Sequence, residues 1–346
     1  MTKRSSARTS RGIWPALPLA IAFGTAGCAS AEPTERAQSG VFGGAPAPDD
    51  TAVVAVVNFA GGQCTGSLIA PNLVMTARHC VAKTAGEELQ VVCGQTTFQP
   101  PDSPGAIFVV SLPAISNDKK DYLAVEEIRM PDGLGDDLCG TDVVLLRLKA
   151  PLSDEIVPLV PRLDPPVAPP EAYSSVGFGV DESLPDKPSS ERKRLDGSKV
   201  VCVGGSCRDA QVRSNEWLGS GGPCQGDSGG PALDANGQII GVVSRGESGC
   251  KQPVFSDVAS RADWLKSEAI LAANAAQQPP PSWAPCDETT PCATLKPDPN
   301  ATDEGPAPTC ALNHAAKTTG PSWPLLLAAL ALLRRRLRSS DATTEK

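Results

Sequence analysis

The stretch GGPCQGDSGGPAL, residues 221 to 233, is more glycine-rich and more specific than an ordinary surface loop. Its serine, Ser228, follows Gly-Asp and precedes Gly-Gly. A serine hydroxyl is a poor nucleophile unless a base removes its proton and a third group orients that base. The stretch therefore raises the question of whether the chain supplies such a base and such an acid.

The base can be sought among very few residues, because the chain contains only 2 histidines, His79 and His314. His314 lies in a proline- and threonine-rich region near the end of the chain. His79 lies in VMTARHC, residues 74 to 80, where an apolar run is followed by a cysteine. If the folded domain has a catalytic imidazole, the sequence predicts that it belongs to His79.

Residues 41 to 275 contain short apolar runs that predict an all-β fold. Each run spans about 5 to 9 residues and is bounded by Gly, Pro, Asp or Asn, which is the signal for strands of a barrel or sandwich. The runs are TAVVAVVNF (51–59), LQVVCG (89–94), AIFVVSL (106–112), DVVLLRL (142–148), SKVVCV (198–203) and QIIGVVS (238–244). Only residues 258 to 276 have apolar residues at helical spacing, which predicts one C-terminal helix.

Composition excludes some classes of partner and favours export. The chain has 346 residues and a net charge of -8, so nucleic acid is not an expected partner. Its 12 cysteines indicate disulfides and an oxidising compartment. Cys-x-x-Cys pairs are absent from the sequence, and we therefore predict no metal site.

The first 31 residues have the features of a signal peptide: a basic stretch, a short apolar run and then small residues. Two cleavage modes stay open. ASA before Glu32 fits an ordinary signal peptidase site, whereas TAGC is similar to a lipoprotein box in which Cys28 would be acylated. Residues 32 to 40 would then be a short propeptide.

The far end of the chain predicts a stalk and a tail. Residues 277 to 322 are rich in proline, threonine and acidic residues, which is typical of a linker without a core. Residues 323 to 338 hold a short apolar run followed by RRRLR. This tail resembles the C-terminal sorting signals that some Gram-negative bacteria cleave during export, with Cys310 as a candidate processing site. A plain membrane anchor stays the alternative, although the run is shorter than the roughly 20 residues that a spanning helix needs.

The motifs MTARHC, TDVVLL and GDSGGP, in this chain order, resemble those of the trypsin-like (chymotrypsin-family) serine proteases. The resemblance covers residues 41 to about 272. It implies two six-stranded antiparallel β-barrels, here about 41–155 and 170–257, followed by the C-terminal helix. It also implies protein or peptide substrates and a mechanism that requires no metal or organic cofactor.

Carried onto this sequence, the family's catalytic roles fall on three residues. Ser228 would be the nucleophile, His79 the general base, and Asp142 the acid that orients the imidazole. The backbone N–H groups of Gly226 and Ser228 would form the oxyanion hole. Ser244 matches the family serine that supports the aspartate.

The resemblance also predicts substrate binding and activation. Residues Ser244 to Gly246 should pair with an extended substrate. Gly222 stands where trypsin itself carries an aspartate, so cleavage after Lys or Arg is not supported, and we predict a small or medium apolar residue. The VFGG start at Val41 would insert after cleavage and pair its amine with Asp227. The alternative is that VFGG enters a strand and the enzyme matures otherwise.

The family pattern also assigns some of the cysteines. Cys64 and Cys80 match the bridge beside the histidine, and Cys224 and Cys250 match the bridge at the specificity pocket. Cys202 and Cys207 flank VGGS, where a tight Gly-Gly hairpin would place their Cα atoms about 4.5 Å apart. The cysteines that remain are Cys93 with Cys139 and Cys286 with Cys292, while Cys28 and Cys310 are set aside as processing sites.

These expectations describe an exported serine endopeptidase that is secreted or displayed on the cell surface. Attachment to a membrane through the tail or through Cys28 stays open. The alternative is a binding protein with the same fold that is catalytically silent. Its usual mark, a broken triad or a broken GDSGG motif, is absent from the sequence.

Overall fold

The computed structural model describes residues 41–293, except residues 42, 86–90, 182–183, 189, 209–210 and 248. The predicted signal peptide, propeptide, most of the stalk and the arginine-rich tail therefore lie outside the described residues, as do Cys28 and Cys310. Within the described part, no helix is long enough and apolar enough to cross a membrane.

Strands dominate the described chain, as the short β-branched runs predict. In the first half, the strands are β1 (Ala45–Pro46), β2 (Val53–Asn58), β3 (Gly62–Ala70), β4 (Leu73–Thr76), β5 (Ala82–Ala85), β6 (Thr97–Pro101), β7 (Ile107–Val110), β8 (Leu123–Arg129) and β9 (Val144–Leu148). In the second half, they are β10 (Ala172–Gly177), β11 (Val180–Asp181), β12 (Leu184–Pro188), β13 (Lys193–Val203), β14 (Glu216–Gly219), β15 (Pro231–Leu233), β16 (Ile239–Glu247) and β17 (Lys251–Asp257).

The strands close two six-stranded antiparallel barrels, which confirms the predicted fold class. The first barrel has the order β2-β3-β4-β9-β8-β7 and closes on itself. The second has the order β13-β10-β15-β16-β17-β14, and a β13–β14 pairing closes it. Closure removes the exposed edges that an open sheet would present.

Each barrel encloses its own apolar core. The first is filled mainly by aliphatic side chains such as Val54, Leu68 and Leu146. In the second, the ring of Trp217 stacks on that of Phe255 with centroids 4.0 Å apart. Strand β2 is buried along nearly its whole length, because its outward face is also covered, so it reads as an apolar run without alternation.

Strand β1 differs from the predicted division of the chain. We expect the first barrel to begin near residue 41, but β1 pairs with β13 of the second barrel, with Ala45 opposite Arg194. The beginning of β13 is therefore paired on both edges, with β10 on one edge and β1 on the other.

Residues 91–94, the described part of the run LQVVCG, are not in a strand, so the prediction of a strand there is wrong. Residues 93–95 form a turn. The hydroxyl of Thr96 accepts a hydrogen bond from the N–H of Val92, at 3.0 Å, and the N–H of Thr96 donates to the carbonyl of Val92, at 2.9 Å. Such local bonds satisfy the backbone groups that a strand would offer to a neighbour.

The C-terminal helix α1 spans Ala262–Ala276 and begins four residues later than predicted. A 3₁₀ turn, Ala259–Arg261, precedes it, and the carboxylate of Asp257 accepts the N–H of Ser260 at 2.9 Å. Helix α1 packs on the first barrel, where the side-chain amide of Asn72 donates to the carbonyl of Ala272 at 3.0 Å.

The compact part of the chain also ends later than predicted. The stalk is expected to begin at residue 277, but Ala284 is fully buried, and Trp283 and Cys286 pack against the core beneath the helix. The N–H of Ala293 donates to the side-chain oxygen of Asn274 at 2.8 Å. A proline-rich composition alone does not reveal these packing contacts.

Candidate active site

His79 and Asp142 form a close pair at the junction of the barrels. His79 lies in the 3₁₀ turn Arg78–Cys80 that follows β4, and Asp142 lies two residues before β9. Nδ1 of His79 is 2.8 Å from Oδ2 of Asp142, and the backbone N–H of His79 donates to Oδ1 at 3.0 Å. The side chain of His79 is 24% exposed, while that of Asp142 is 0% exposed.

The second barrel completes the surroundings of Asp142. The hydroxyl of Ser244 donates to Oδ2 of Asp142 at 2.6 Å, and the hydroxyl of Ser256 donates to its backbone carbonyl at 2.9 Å. Burial would raise the pKa of the Asp142 carboxyl, but the imidazole and the hydrogen bonds outweigh this effect and hold that pKa below its ordinary value. The Asp142 carboxylate therefore stays ionised although it is buried.

The pKa of His79 stands above its ordinary value. Burial would lower it, but the charge of Asp142 and its hydrogen bond outweigh burial, while the charge of Arg245 opposes them. An imidazole held this way keeps one tautomer, with Nδ1–H directed at Asp142 and Nε2 left as the basic atom.

Ser228 lies in a turn that the first barrel holds in place. The carbonyl of Ser228 accepts the N–H of Thr65 at 2.8 Å, and the hydroxyl of Thr65 donates to the carbonyl of Gly226 at 2.9 Å. Sγ of Cys80, the residue after His79, lies 3.6 Å from the Ser228 carbonyl oxygen. The structure thus brings the serine turn next to the histidine turn.

Gly229 allows this close approach. Its φ is +81°, and a Cβ built on it would overlap the carbonyl oxygen of Thr65 and lie 2.7 Å from the backbone nitrogen of Ala77. Both contacts are with backbone atoms, which cannot move away easily. The second glycine of GDSGG is therefore required by the packing of one barrel on the other.

The backbone N–H groups of Gly226 and Ser228 have no hydrogen-bond partner among the described residues. Asp227 lies between them, and its own N–H is already used, because it donates to the carbonyl of Cys224 at 3.0 Å. Two amides beside a serine, both without an internal acceptor, are able to bind an anionic oxygen.

The carboxylate of Asp227 points away from these amides into the interior. It is 1% exposed and accepts the N–H of Gly179 at 2.7 Å and the N–H of Cys224 at 2.9 Å. Burial raises the pKa of Asp227 to about 7, although these N–H groups and the charge of Lys193 lower it. Val41 is also fully buried, and in this chain its nitrogen is bonded to residue 40.

The expected substrate-binding residues lie along β16 and beside the serine turn. Strand β15 pairs with β16 only as far as Val242, so among the described strands nothing pairs with the same edge at Ser244–Gly246. Gly222 is buried, and a Cβ built on it would lie 3.0 Å from the hydroxyl oxygen of Ser175. That hydroxyl has no hydrogen-bond partner within the described part.

Arg78, directly before His79, is buried but not isolated. Its guanidinium donates to the carbonyl of Gly135 at 2.7 Å and lies 4.3 Å above the ring centre of Phe98. Burial lowers its pKa, while the charges of Asp142 and Asp136 raise it. The carbonyl and the ring partner the guanidinium, while its buried Nε has no hydrogen-bond partner among the described residues.

Ten cysteines are joined in five disulfides. They are Cys64–Cys80, Cys93–Cys139, Cys202–Cys207, Cys224–Cys250 and Cys286–Cys292, with Cα–Cα distances of 6.0, 5.4, 5.3, 4.7 and 5.5 Å. The first ties the histidine turn to β3, and the fourth ties the serine segment to the β16–β17 hairpin.

The expected hairpin between Cys202 and Cys207 is wrong, although the two cysteines are bonded. Residues Gly204–Ser206 form a 3₁₀ turn, and Cys202 lies opposite Leu218 of β14. The hydroxyl of Ser206 accepts the N–H of Val203 at 3.1 Å and so closes the turn locally.

One group of side chains within the described residues has metal-ligand spacing. The ligand atoms of Cys64, His79 and Cys80 lie within 4.8 Å of one another. The two cysteines are bonded to each other, so neither offers the thiolate that binds a metal.

Two residues of this site are missed by the sequence reasoning. Thr65 orders the serine turn, and Ser256 holds the backbone of Asp142. Thr65 directly follows a cysteine of the histidine bridge, which is the only local signal for it. Ser256 lies in an ordinary strand and has none.

Two closed barrels, with a buried Asp–His pair beside a serine turn, define the class of the chymotrypsin-type fold. The family model described as Trypsin matches residues 41–265. The chain belongs to the trypsin family of serine proteases, whose members are hydrolases.

Relatives of this chain come from snakes, insects and bacteria. The venom plasminogen activator Haly-PA of Gloydius brevicauda is 30% identical over 254 residues, which cover 66% of this chain and 85% of that protein. A trypsin of Saccharopolyspora erythraea is 30% identical over 214 residues, or 59% of this chain and 85% of the relative. A trypsin of Sarcophaga bullata is 28% identical over 221 residues, which cover 60% of this chain and 78% of that protein.

Proposed function

We propose that this chain is a serine endopeptidase with Ser228 as nucleophile, His79 as general base and Asp142 as orienting acid. The observation that carries the proposal is the buried Asp142 carboxylate. It accepts hydrogen bonds from Nδ1 and the backbone of His79 and from Ser244. A buried carboxylate with this many donors fixes the tautomer and the direction of the imidazole.

The chemical steps follow from this arrangement. Nε2 of His79 takes the proton of the Ser228 hydroxyl as Oγ attacks the carbonyl carbon of a peptide bond. The oxygen of the tetrahedral intermediate becomes negative and binds the free N–H groups of Gly226 and Ser228. His79 then gives its proton to the leaving amine, and water hydrolyses the acyl-enzyme with the same base.

The substrate would lie as an added strand along Ser244–Gly246, which supports a preference for extended peptides. The first specificity pocket would be lined by Gly222 and by the hydroxyl of Ser175, without a carboxylate at its floor. A neutral pocket of this kind favours a small or medium apolar residue before the cleaved bond over Lys or Arg.

Activation would follow cleavage between Gly40 and Val41. The new α-amine would then pair with the buried carboxylate of Asp227 and offset the burial that raises its pKa. The complete burial of Val41 supports this proposal. Determination of the N-terminus of an active preparation tests it, because an active form that starts elsewhere would contradict it.

Export to an oxidising compartment is supported by five disulfides within the described residues. Cleavage by an ordinary signal peptidase or acylation at Cys28 remain two routes, and the tail at 323–338 remains a sorting signal or an anchor. The intact mass of the mature protein separates these cases, because an acyl chain or a retained tail changes it by a defined amount.

The central test is covalent labelling with a fluorophosphonate, which reacts only with an activated serine. Wild type is compared with Ser228→Ala and His79→Ala, and with Ser153→Ala as a control at an exposed serine of the segment between the barrels. We expect wild type and the control to label equally, and the two site variants not to label. A peptide library then reports the residue before the cleaved bond.

Two outcomes would count against the proposal. If a wild-type protein whose N-terminus is Val41 does not label, the chain is a binding protein with a silent protease fold. If Ser228→Ala still labels, another serine is the nucleophile.

A further inference from the structure

A buried ion pair lies next to the candidate site, between Arg245 of β16 and Glu216 of β14. Both guanidinium nitrogens of Arg245 donate to the carboxylate, at 2.6 and 2.8 Å. The side chain of Arg245 is 11% exposed and that of Glu216 is 0% exposed. A two-point contact of this kind fixes direction as well as distance, which a single hydrogen bond does not.

The Glu216 carboxylate also holds the segment that leads into Asp142. One oxygen accepts the backbone N–H of Gly140 at 2.7 Å, and the other accepts the N–H of Arg213 at 2.9 Å. The carbonyl of Gly140 accepts a further bond from the side-chain amide of Asn215 at 2.6 Å. Gly140 belongs to the first-barrel half of the chain and lies only two residues before Asp142.

Arg245 connects the same carboxylate to the substrate edge. It directly follows Ser244, whose hydroxyl donates to Asp142, and one of its nitrogens lies 3.4 Å from that hydroxyl oxygen. It also lies in the middle of Ser244–Gly246, where the edge of β16 is unpaired. One ion pair therefore contacts the segment that leads into Asp142, through Gly140, and lies within the substrate-binding segment, through Arg245.

We propose that the Arg245–Glu216 pair is a positioning unit that fixes Asp142 and the substrate edge in one geometry across the two barrels. The proposal rests on the proposed protease function and adds two residues to it. Neither residue touches the reacting atoms: Glu216 acts through Gly140, and Arg245 acts through Ser244. The pair also explains how a charged residue is accommodated in this strand, because its charge is cancelled in the interior.

The charges around His79 give the proposal a directional test. Asp142 contacts His79 directly, and the charge of Arg245 acts on the imidazole. Among the described residues, the charged groups near the pair or near Asp142 include Arg213, which pairs with Asp137, Arg261, which interacts with Glu216 and Asp257, and Arg78, which interacts with Asp142. Removing Arg245 leaves the negative Glu216 uncancelled, so the pKa of His79 should rise, whereas removing Glu216 leaves Arg245 uncancelled, so that pKa should fall.

The experiment measures the rate of fluorophosphonate labelling as a function of pH in the full chain. The variants are Arg245→Gln, Glu216→Gln, their combination, and Arg245→Lys, which keeps the charge but not the two-point contact. The matched control is Arg162→Gln, because Arg162 also pairs with a carboxylate at two points, also is 11% exposed, and contacts Glu171 and Asp234 rather than the site.

We expect each single Gln variant at the pair to label about 10- to 100-fold more slowly, the loss that misplacement of reacting groups by about 1 Å produces. The acid limb of the rate profile should move to higher pH in Arg245→Gln and to lower pH in Glu216→Gln. The labelling rate of the combined variant should fall by less than the product of the two single-variant factors, because both charges are removed together. Arg245→Lys should be slower than wild type with an unmoved acid limb.

The control should label within about twofold of wild type while losing stability, since a buried pair is broken there as well. Equal labelling of wild type and the Arg245 and Glu216 variants, with unmoved profiles, would overturn the inference and leave the protease function intact. Shifts of the two acid limbs in one direction would also overturn it. Failure of wild type to label would instead overturn the protease function, so the two failures are distinguishable.

Discussion

The buried carboxyl of Asp227 makes the stability of the uncleaved chain depend on pH. It is 1% exposed, and burial raises its pKa to about 7 from an ordinary value of 3.8, against the two backbone N–H groups that it accepts. A carboxyl with a raised pKa is most stabilising when it is protonated. A salt-bridged aspartate behaves in the opposite way, because its pKa is lowered and it stabilises the fold when it is ionised.

The size of the effect follows from the difference of about three pKa units. Each unit corresponds to about 1.4 kcal/mol, so the contribution is about 4 kcal/mol. Between the two pKa values the folded chain binds a proton that the unfolded chain has released. The contribution is therefore complete below about pH 4, declines as the pH rises, and is lost above about pH 7.

The assay compares the free energy of unfolding of wild type and Asp227→Asn in denaturant, with disulfides oxidised, between about pH 4 and about pH 8. Asparagine does not titrate, so subtracting one curve from the other cancels the other ionisable groups. The stability of wild type relative to the variant should fall by about 4 kcal/mol across this range. A flat difference, or one that rises with pH, would refute the reasoning.

The same measurement extends to the cleaved protein. If the α-amine of Val41 pairs with Asp227, the pKa of the carboxyl falls below its value in the uncleaved chain. The decline with pH should then shrink or reverse. An unchanged decline after cleavage would contradict the pairing of the amine with Asp227.

Three further predictions concern the site. Ser244→Ala removes the 2.6 Å hydrogen bond to Asp142, and we expect kcat/KM for a peptide substrate to fall about tenfold, measured by hydrolysis of that peptide. The charge of Asp142 and its hydrogen bond raise the pKa of His79, so the acid limb of the kcat/KM profile should lie at higher pH than for an ordinary histidine, and a limb at lower pH would be contrary evidence. Gly229→Ala should destabilise the fold by about 3 kcal/mol or more in denaturant unfolding, since strain at positive φ adds to backbone overlap. Gly237→Ala, with φ +75° and open space around it, should lose only about 1–2 kcal/mol, and equal losses would show that overlap does not matter.

Much of the fold could be predicted from the sequence because its signals are local. Short β-branched runs between turn residues mark strands such as β2, β7, β9 and β16, and the order of three motifs implies their arrangement in two barrels. LQVVCG has the same composition, but the bonds between Val92 and Thr96 form within five residues and compete with a strand. Hydrophobicity alone does not distinguish the two outcomes.

The remainder depends on contacts between distant parts of the chain. Glu216 lies 76 residues from Gly140, whose N–H it accepts, and nothing in EWLG distinguishes it from a surface glutamate. Arg245 lies inside the predicted substrate segment Ser244–Gly246, but the sequence does not reveal Glu216 as its partner. Likewise, the packing of Ala284 under the helix is set by a surface that forms only when the barrels have closed.

Each barrel is contacted by a chain segment that is adjacent in sequence to the other barrel. Strand β1 precedes the first barrel but pairs with β13, and helix α1 follows the second barrel but packs on the first, where Glu268 meets Arg129 at 2.9 and 3.0 Å. During synthesis, the first barrel is complete at residue 148 but must wait for residues 262–276 to cover its outer face. A ribosome-bound or prematurely ended chain therefore lacks the β1–β13 pairing or the contacts of α1 with the first barrel. We expect peptidase activity to appear only after nearly the whole described part has been made.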